Sequence, residues 1–235
     1  MEDLILKRNP TRKHPLLGLT VLVVEDSKFA SDAMRLMCLR SGARIRRADC
    51  LCSARKHLKV YRPSVVIIDV GLPDGSGLEL IKDLHAARPR VNVLLGMSGD
   101  DAQQEATTNA GADGFVAKPL VNLAYFQTTI LSHLDSSAQV TGLQEVGSQS
   151  IEPDQIAYQD DMSHAATLLE AQQDDTSLEY VTQFLRSVAT SAGDMRLEKA
   201  AKNLSRATSQ GYVPRSIVRE VLGMLQHRMD QTAAF

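Results

Sequence analysis

The stretch that decides the reading is "VVIIDVGLPDGSG", residues 65–77. Four apolar β-branched residues run into an aspartate, Asp69, and a turn-rich Gly-Leu-Pro-Asp-Gly-Ser-Gly follows at once. β-Branched runs of this length read as a buried strand, and Gly, Pro, Asp and Ser in close order read as a turn. A carboxylate at the end of such a strand either caps the next element or does chemistry.

Residues 20–134 repeat one pattern five times. "TVLVVED" is a short apolar run ending in acids. Ser27 opens a helical stretch with Ala30, Ala33, Met34, Met37 and Cys38 on one face, stopped at Ser41-Gly42. "ARIRRA" reads as an outer strand, polar on one side, and residues 51–60 as a helix. "SVVIID" is a central strand, apolar on both faces, and "GLELIKDLHAA" a third helix ended before Pro89. "VNVLLGMS", the polar helix "DDAQQEATTNAG", "DGFVAK" and a last helix striped by Leu123, Phe126, Ile130 and Leu134 complete the series. Five β-α units with short loops imply an α/β fold, a parallel sheet doubly wound by helices. Right-handed crossovers leave few topologies, and ligands sit beyond the carboxyl ends of the strands.

The remainder of the chain differs. Residues 135–180 hold ten acids and no Lys or Arg, which reads as a solvated linker continuing into an acidic first helix. Residues 161–235 read as wholly helical. Leu178, Val181, Leu185, Val188 and Ala192 form one stripe, Leu197, Ala200, Ala201, Leu204 and Ala207 a second, and Ile217, Val221, Leu222, Leu225 and Met229 a third. Gly193-Asp194 and Gly211 to Pro214 separate them. The expected organisation is a tail over 1–18, disordered or weakly docked, an α/β domain over 19–134, a polar linker over 135–160 and a small all-α domain over 161–235.

Bulk composition narrows the function classes. The formal net charge is −2, so the chain as a whole carries no nucleic-acid signal. Apolar runs are strand-sized, and the first residues carry acids before a short apolar patch with no small-residue cleavage site, so neither a membrane span nor a signal peptide is expected. Cys38, Cys50 and Cys52 fit reduced thiols in a cytoplasmic protein, not a disulfide framework. Cys50 and Cys52 have no second pair or nearby His to complete a zinc site.

Chemistry collects at the strand ends. The first strand ends in Glu25-Asp26, the third in Asp69, the fourth in Ser98 and the fifth in Lys118-Pro119. In a parallel sheet these ends share one edge. Each residue alone has a plainer reading: a helix cap for Glu25-Asp26, a turn residue for Asp69, a loop hydroxyl for Ser98, a solvated charge for Lys118. Together they match one reaction, phosphoryl transfer to a carboxylate. Three clustered carboxylates need a cation among them, and hard oxygens favour Mg²⁺. Asp69 as nucleophile yields an acyl phosphate, Lys118 pairs with phosphoryl oxygens and Ser98 donates a hydrogen bond to one of them. Gly71 leaves its backbone carbonyl accessible as a further metal ligand.

The motifs "VLVVEDS", "IIDVGLPDGSG", "GMSGD" and "GADGFVAKP", in this order, resemble the receiver domain of bacterial two-component response regulators. The resemblance covers residues 19–134. It implies Asp69 as phosphoacceptor from a phosphohistidine on a histidine kinase or phosphotransfer protein, and Glu25 and Asp26 as the Mg²⁺ acids. It implies Ser98 as the switch hydroxyl, Lys118 as the phosphate-pairing lysine and Phe115 as the switch aromatic, or else a strand residue packed under the fourth helix. It implies a Lys118–Pro119 bond that is often cis, and a homodimer face made of the fourth helix, fifth strand and fifth helix. On phosphorylation Ser98 moves toward the phosphate, Phe115 turns inward and that face shifts. Two positions depart from the usual pattern: the first acid is Glu25 where Asp is common, and Gly71 has no side chain to orient water. Asp100 could interact with the attacking water instead.

The output is open between two readings. "GDMRLEKAAKNLSRA" faintly resembles the helix of histidine-phosphotransfer domains, with Lys202 where the histidine would stand. That suggests a degenerate phosphotransfer-like bundle that docks a protein partner. The alternative is DNA binding through the basic end, where residues 194–235 carry seven Lys or Arg against four acids. Long helices and no tight turn after Leu204 count against a helix-turn-helix. No phosphate-cradling loop, metal cluster or nucleophile–base pair marks the tail as an enzyme. His164 reads as a surface residue. Attraction between the acidic and basic segments suggests that the bundle packs on itself or on the receiver at rest.

Overall fold

The computed structural model describes residues 10–134, 151, 153–171, 175–211 and 213–230. Five parallel strands form the sheet: β1 (Thr20–Val24), β2 (Arg44–Ala48), β3 (Val65–Asp69), β6 (Val93–Ser98) and β7 (Gly114–Ala117). Their order is β2-β1-β3-β6-β7, with Val21 beside Val65 and Asp69 beside Met97. Helices α1 (Lys28–Arg40), α2 (Leu51–Val60), α3 (Gly77–Ala86), α4 (Gln103–Asn109) and α5 (Leu123–Leu131) alternate with the strands.

Alternation along the strands builds two cores. Val21, Val23, Val65 and Ile67 pack with Met34, Met37, Phe126 and Ile130 of α1 and α5. Leu22, Val24, Val66 and Ile68 face the other way, against Leu51 of α2 and Leu80, Ile81 and Leu84 of α3. Successive side chains of a strand leave on opposite faces, so a run apolar at every position must be covered on both. β2 is an edge strand, which explains its polar arginines.

The "GLPDGSG" run is more than a turn. Gly71–Leu72 (β4) and Gly75–Ser76 (β5) pair as a small antiparallel hairpin. From its tip the Asp74 carboxylate accepts from the backbone N–H of Leu51 at 2.7 Å and of Cys52 at 2.8 Å, capping α2 together with the Cys50 sulfur. Ser76 caps α3. Gly77 is required by close approach: a Cβ there would stand 2.0 Å from the Asp69 carbonyl oxygen.

Two expectations are corrected. Residues 10–18 do not form a loose tail: Leu16 is fully buried and its N–H donates to the Ser41 carbonyl at 2.9 Å, because its side chain completes the core beneath α1. Residues 1–9 of the expected tail lie outside the described residues. The helical segment also starts earlier than expected, at Gln155, within the stretch read as linker. Apolar Tyr158 and Met162 give that segment a face to bury.

Four helices form a bundle: α6 (Gln155–Ala171), α7 (Asp175–Ala192), α8 (Met195–Ser209) and α9 (Arg215–Asp230). Its core gathers Met162, Leu169, Val181, Leu185, Val188, Leu197, Leu204, Val221 and Leu225. Asp194 caps α8, accepting from the Leu197 N–H at 3.0 Å, and pairs with Arg228 of α9 at 2.8 Å. Among the described residues no helix is long and apolar enough to cross a membrane.

Candidate functional site: an acidic pocket under a helical bundle

The carboxyl ends of β1, β3, β6 and β7 bring Glu25, Asp26, Asp69, Ser98 and Lys118 to one edge, on the side where the sheet order reverses between β1 and β3. One carboxylate oxygen from each of Glu25, Asp26 and Asp69 lies within 4.8 Å of the others. The Lys118 ammonium stands among them, 3.0 Å from Asp69 Oδ2 and 2.6 Å from Glu25 Oε2. Glu25, Asp69, Ser98 and Lys118 are buried. The Lys118–Pro119 peptide is cis, and so is Arg88–Pro89. Ser98 Oγ accepts from the Asp100 N–H at 3.1 Å. Phe115 is half-buried on β7, opposite Gly96 of β6. Gly71 lies on the hairpin that follows Asp69.

The electrostatics are those of too many acids for one cation. Burial raises Asp26 to about 7, the charge of Asp69 adds to this, and a hydrogen bond from Tyr180 works against it. Burial also raises Glu25, opposed by the charge of Lys118 and reinforced by Asp69 and Asp26. Burial disfavours the Lys118 ammonium, yet Asp69 and Glu25 more than compensate and hold its pKa above the ordinary value. The Lys118 ammonium is shared between Glu25 Oε2 and Asp69 Oδ2, which leaves three acids beside one cation. Three carboxylates whose oxygens lie within 4.8 Å of one another, with a single ammonium among them, are an oxygen ligand set that fits a hard divalent cation.

Sequence reasoning allowed the bundle to pack on the α/β domain at rest but named none of the residues that do so. The bundle sits on the carboxyl edge of the sheet, and α7 crosses above the acids. The Tyr180 hydroxyl donates to Asp26 Oδ2 at 2.7 Å. Lys118 Nζ donates to Ser187 Oγ at 2.7 Å. Arg186 pairs with Asp100 at 2.9 Å, so the carboxylate expected near an attacking water is engaged by the bundle. Gln183 fills the space over Gly71: a Cβ on that glycine would meet Gln183 Nε2 at 2.1 Å.

Beside it, α6 grips the start of α1. Asp161 accepts from Ser27 Oγ at 2.8 Å, from the Lys28 N–H at 2.9 Å and from the Phe29 N–H at 3.1 Å. The first turn of α1 contains no acid of its own. A carboxylate there satisfies free N–H groups and meets the positive end of the helix dipole. Phe29 and Tyr158 stack edge-on at 5.5 Å, and Lys28 reaches Asp160 at 2.7 Å.

A signal for this face did exist. Tyr180, Gln183 and Ser187 recur at helical spacing beside the apolar stripe of α7, as a second, polar stripe. Lys202, at the position of the absent histidine, is exposed and pairs with Glu198 at 2.6 Å. His164 is exposed, edge-on to Phe184.

Comparison with known proteins places the sheet-bearing part of the chain in a family. Residues 21–128 match the family model "Response regulator receiver domain". The chain is 31% identical over 99 residues to the KDP operon transcriptional regulatory protein KdpE of Escherichia coli K12, covering 42% of this chain and 44% of that protein. It is 37% identical over 105 residues to the E. coli transcriptional regulatory protein CreB, covering 43% and 44%. The chain thus spans about half the length of the curated relatives it matches. Among solved structures, the receiver domain of a sensor histidine kinase from Pseudomonas aeruginosa PAO1, described with a magnesium ion in its active-site cleft, aligns at 21% identity. The alignment covers 49% of this chain and 96% of that one, with a TM-score of 0.45. Residues 21–128 are a two-component response regulator receiver domain, joined to a helical bundle of unassigned family.

Proposed function

We propose that Asp69 is the phosphoacceptor of a Mg²⁺-dependent response regulator, charged by a histidine kinase or a histidine-phosphotransfer protein. The observation that carries this is the buried Lys118 ammonium 3.0 Å from Asp69 and 2.6 Å from Glu25, within a cluster of three acids. An oxygen of Asp69 attacks phosphorus, the P–N bond of the donor breaks, and the leaving nitrogen keeps the electron pair. Lys118 pairs with one phosphoryl oxygen, in the place that Ser187 takes at rest, and Ser98 donates to another. Glu25, Asp26, Asp69 and the Gly71 carbonyl would hold a divalent cation, which would supply charge neutralisation to the phosphoryl oxygens.

The bundle is a protein-interaction module that rests on its own receiver. A phosphoryl group on Asp69 adds nearly two negative charges to the face that α7 covers and claims Lys118 from Ser187, which disfavours the docked bundle. Ser98 and Phe115 then carry the change to α4, β7 and α5, a face available for pairing with a second copy. A second reading, binding of DNA by α8 and α9, draws on relatives named as transcriptional regulators, and on the basic residues Arg196, Lys199, Arg215 and Arg219. Salt-dependent binding to random duplex DNA tests that reading.

The central test is Asp69→Asn, whose side chain keeps the shape and loses the nucleophile. It should fold as the parent does and take up no phosphate from phosphoramidate with Mg²⁺. Undiminished labelling of this variant sinks the assignment.

A further inference from the structure

The helix α7 lies across the mouth of the site and divides it into two openings. On one side a cavity of about 270 Å³ leads to Asp69, lined by Ser98, Asp100, Gln183, Arg186 and Ser187 among others. On the other a cleft of about 890 Å³ leads to Glu25 and Asp26, lined also by Asp161 and Tyr180. Between them the bar is firmly seated. Tyr180 bonds Asp26, Ser187 accepts from Lys118, and Gln183 fills the space over Gly71.

From this arrangement we infer that α7 selects the phosphodonor by size: while the bundle is docked, Asp69 accepts phosphate from a small molecule and refuses it from a phosphohistidine carried on a protein helix. The inference rests on Asp69 being the phosphoacceptor. It goes beyond that role by assigning α7, through Tyr180, Gln183 and Ser187, a part in specificity.

Excluded volume sets the selection. A histidine side chain is short, so its own helix must pack against the receiver edge to bring a phosphoryl group to Asp69. Packed helices keep their axes about 8–10 Å apart, and α7 already occupies that approach. A second helix cannot reach the acids until α7 leaves. A donor such as phosphoramidate has five heavy atoms. At a water molecule's share of liquid volume for each, about 30 Å³, it needs roughly 150 Å³. The cavity beside Asp69 is larger than that. Transfer inside it is balanced: Asp69 gains the O–P bond, the P–N bond breaks, and ammonia leaves with the proton already on the phosphoramidate nitrogen.

The experiment compares two donors on the full chain and on a variant with the bundle released. Asp161→Lys places a cation against the N–H groups of α1 and removes three hydrogen bonds of the docked state, without touching the acids or Lys118. Asp161→Asn keeps the shape should the lysine variant fail to fold. The donors are phosphoramidate and a purified helical-bundle phosphotransfer protein carrying phosphohistidine. Initial labelling rates should differ by donor. With phosphoramidate, parent and variant should agree within about threefold. With the protein donor, the variant should be labelled at least tenfold faster than the parent. A protein donor that labels the parent as fast as the variant, or labels neither, overturns the inference, as does a variant that speeds both donors equally. If phosphoramidate labels no form of the chain, the assignment of Asp69 itself fails, and the inference falls with it.

Discussion

Tyr180 of the bundle donates a hydrogen bond to Asp26 of the receiver at 2.7 Å, across 154 positions of sequence. The contact joins the residue that holds the bundle down to one of the acids that the proposed cation needs. Burial and the charge of Asp26 together hold the Tyr180 phenol well above its ordinary pKa, so it stays a donor. Docking and the charge state of the site are therefore linked through one carboxylate.

Replacing Tyr180 by Phe keeps the ring and deletes the donor. A hydrogen bond to a charged group contributes about 1.5–3 kcal/mol, so the docked state should lose roughly that much. Amide hydrogen exchange in α7 and in the first turn of α1 should then quicken by ten-fold or more. Exchange identical to the parent's would show that Tyr180 does not hold the bundle.

Stability should depend on pH in a direction set by Asp26. Its folded-state pKa is about 7 against an ordinary 3.8. Between those values the unfolded chain has released a proton that the folded chain keeps, so stability falls as pH rises and levels off above about 7. The raised Glu25 acts in the same direction. Thermal unfolding followed by circular dichroism should give a lower Tm at pH 8 than at pH 5. Added Mg²⁺ should shrink the difference, because a cation favours the ionised acids. A Tm that rises over this interval without Mg²⁺ would contradict the burial of the cluster.

Two glycines near Asp69 should answer differently to Ala. At Gly77 a Cβ meets backbone, the Asp69 carbonyl oxygen at 2.0 Å, and the hairpin must shift. Gly77→Ala should lower receiver stability by about 1–3 kcal/mol in urea titration. At Gly71 the Cβ meets only the end of the Gln183 side chain, at 2.1 Å. Gly71→Ala should leave the receiver transition in place and raise exchange in α7. Equal losses of global stability in the two variants would argue against this distinction.

Asp194 anchors the bundle independently of the site. It caps α8, accepts from the Tyr158 hydroxyl at 2.8 Å and pairs with Arg228. Burial opposes its charge, but the Arg228 hydrogen bond and the Leu197 N–H outweigh this and lower its pKa to about 2. Its contribution is complete above the ordinary carboxylate range and is lost as pH falls toward 2. Asp194→Ala should cost about 2–4 kcal/mol, combining a lost cap with a half-buried arginine left unpaired. Asp194→Asn should fall between, since it keeps an acceptor for the cap. Chemical unfolding monitored in α8 and α9 measures both.

The receiver was legible because its rules are local and repeated. Val65 to Ile68 must be covered on both faces, Ser27 and Ser76 cap the helices they precede, and parallel strands carry Glu25, Asp26, Asp69, Ser98 and Lys118 to one edge whatever their separation. Leu16 was misread because a short Leu16-Leu17 pair after a polar segment has no periodicity to announce which residue is buried. The start of α6 was misread because the acids around it resembled a solvated linker. Asp160 and Asp161 find their partners only across the domain boundary, on Lys28 and at the N-terminus of α1.

By itself the sequence determined the doubly wound sheet, the gathering of three acids, a hydroxyl and a lysine at its edge, and a set of amphipathic helices behind it. Periodicity and turn chemistry act over a few residues and can be read in order. Only the tertiary structure decided that α7 lies over that edge, with Tyr180 on Asp26, Ser187 on Lys118, Arg186 on Asp100 and Gln183 over Gly71. Those contacts depend on how two folded surfaces match in shape and charge, and no spacing along the chain encodes that match.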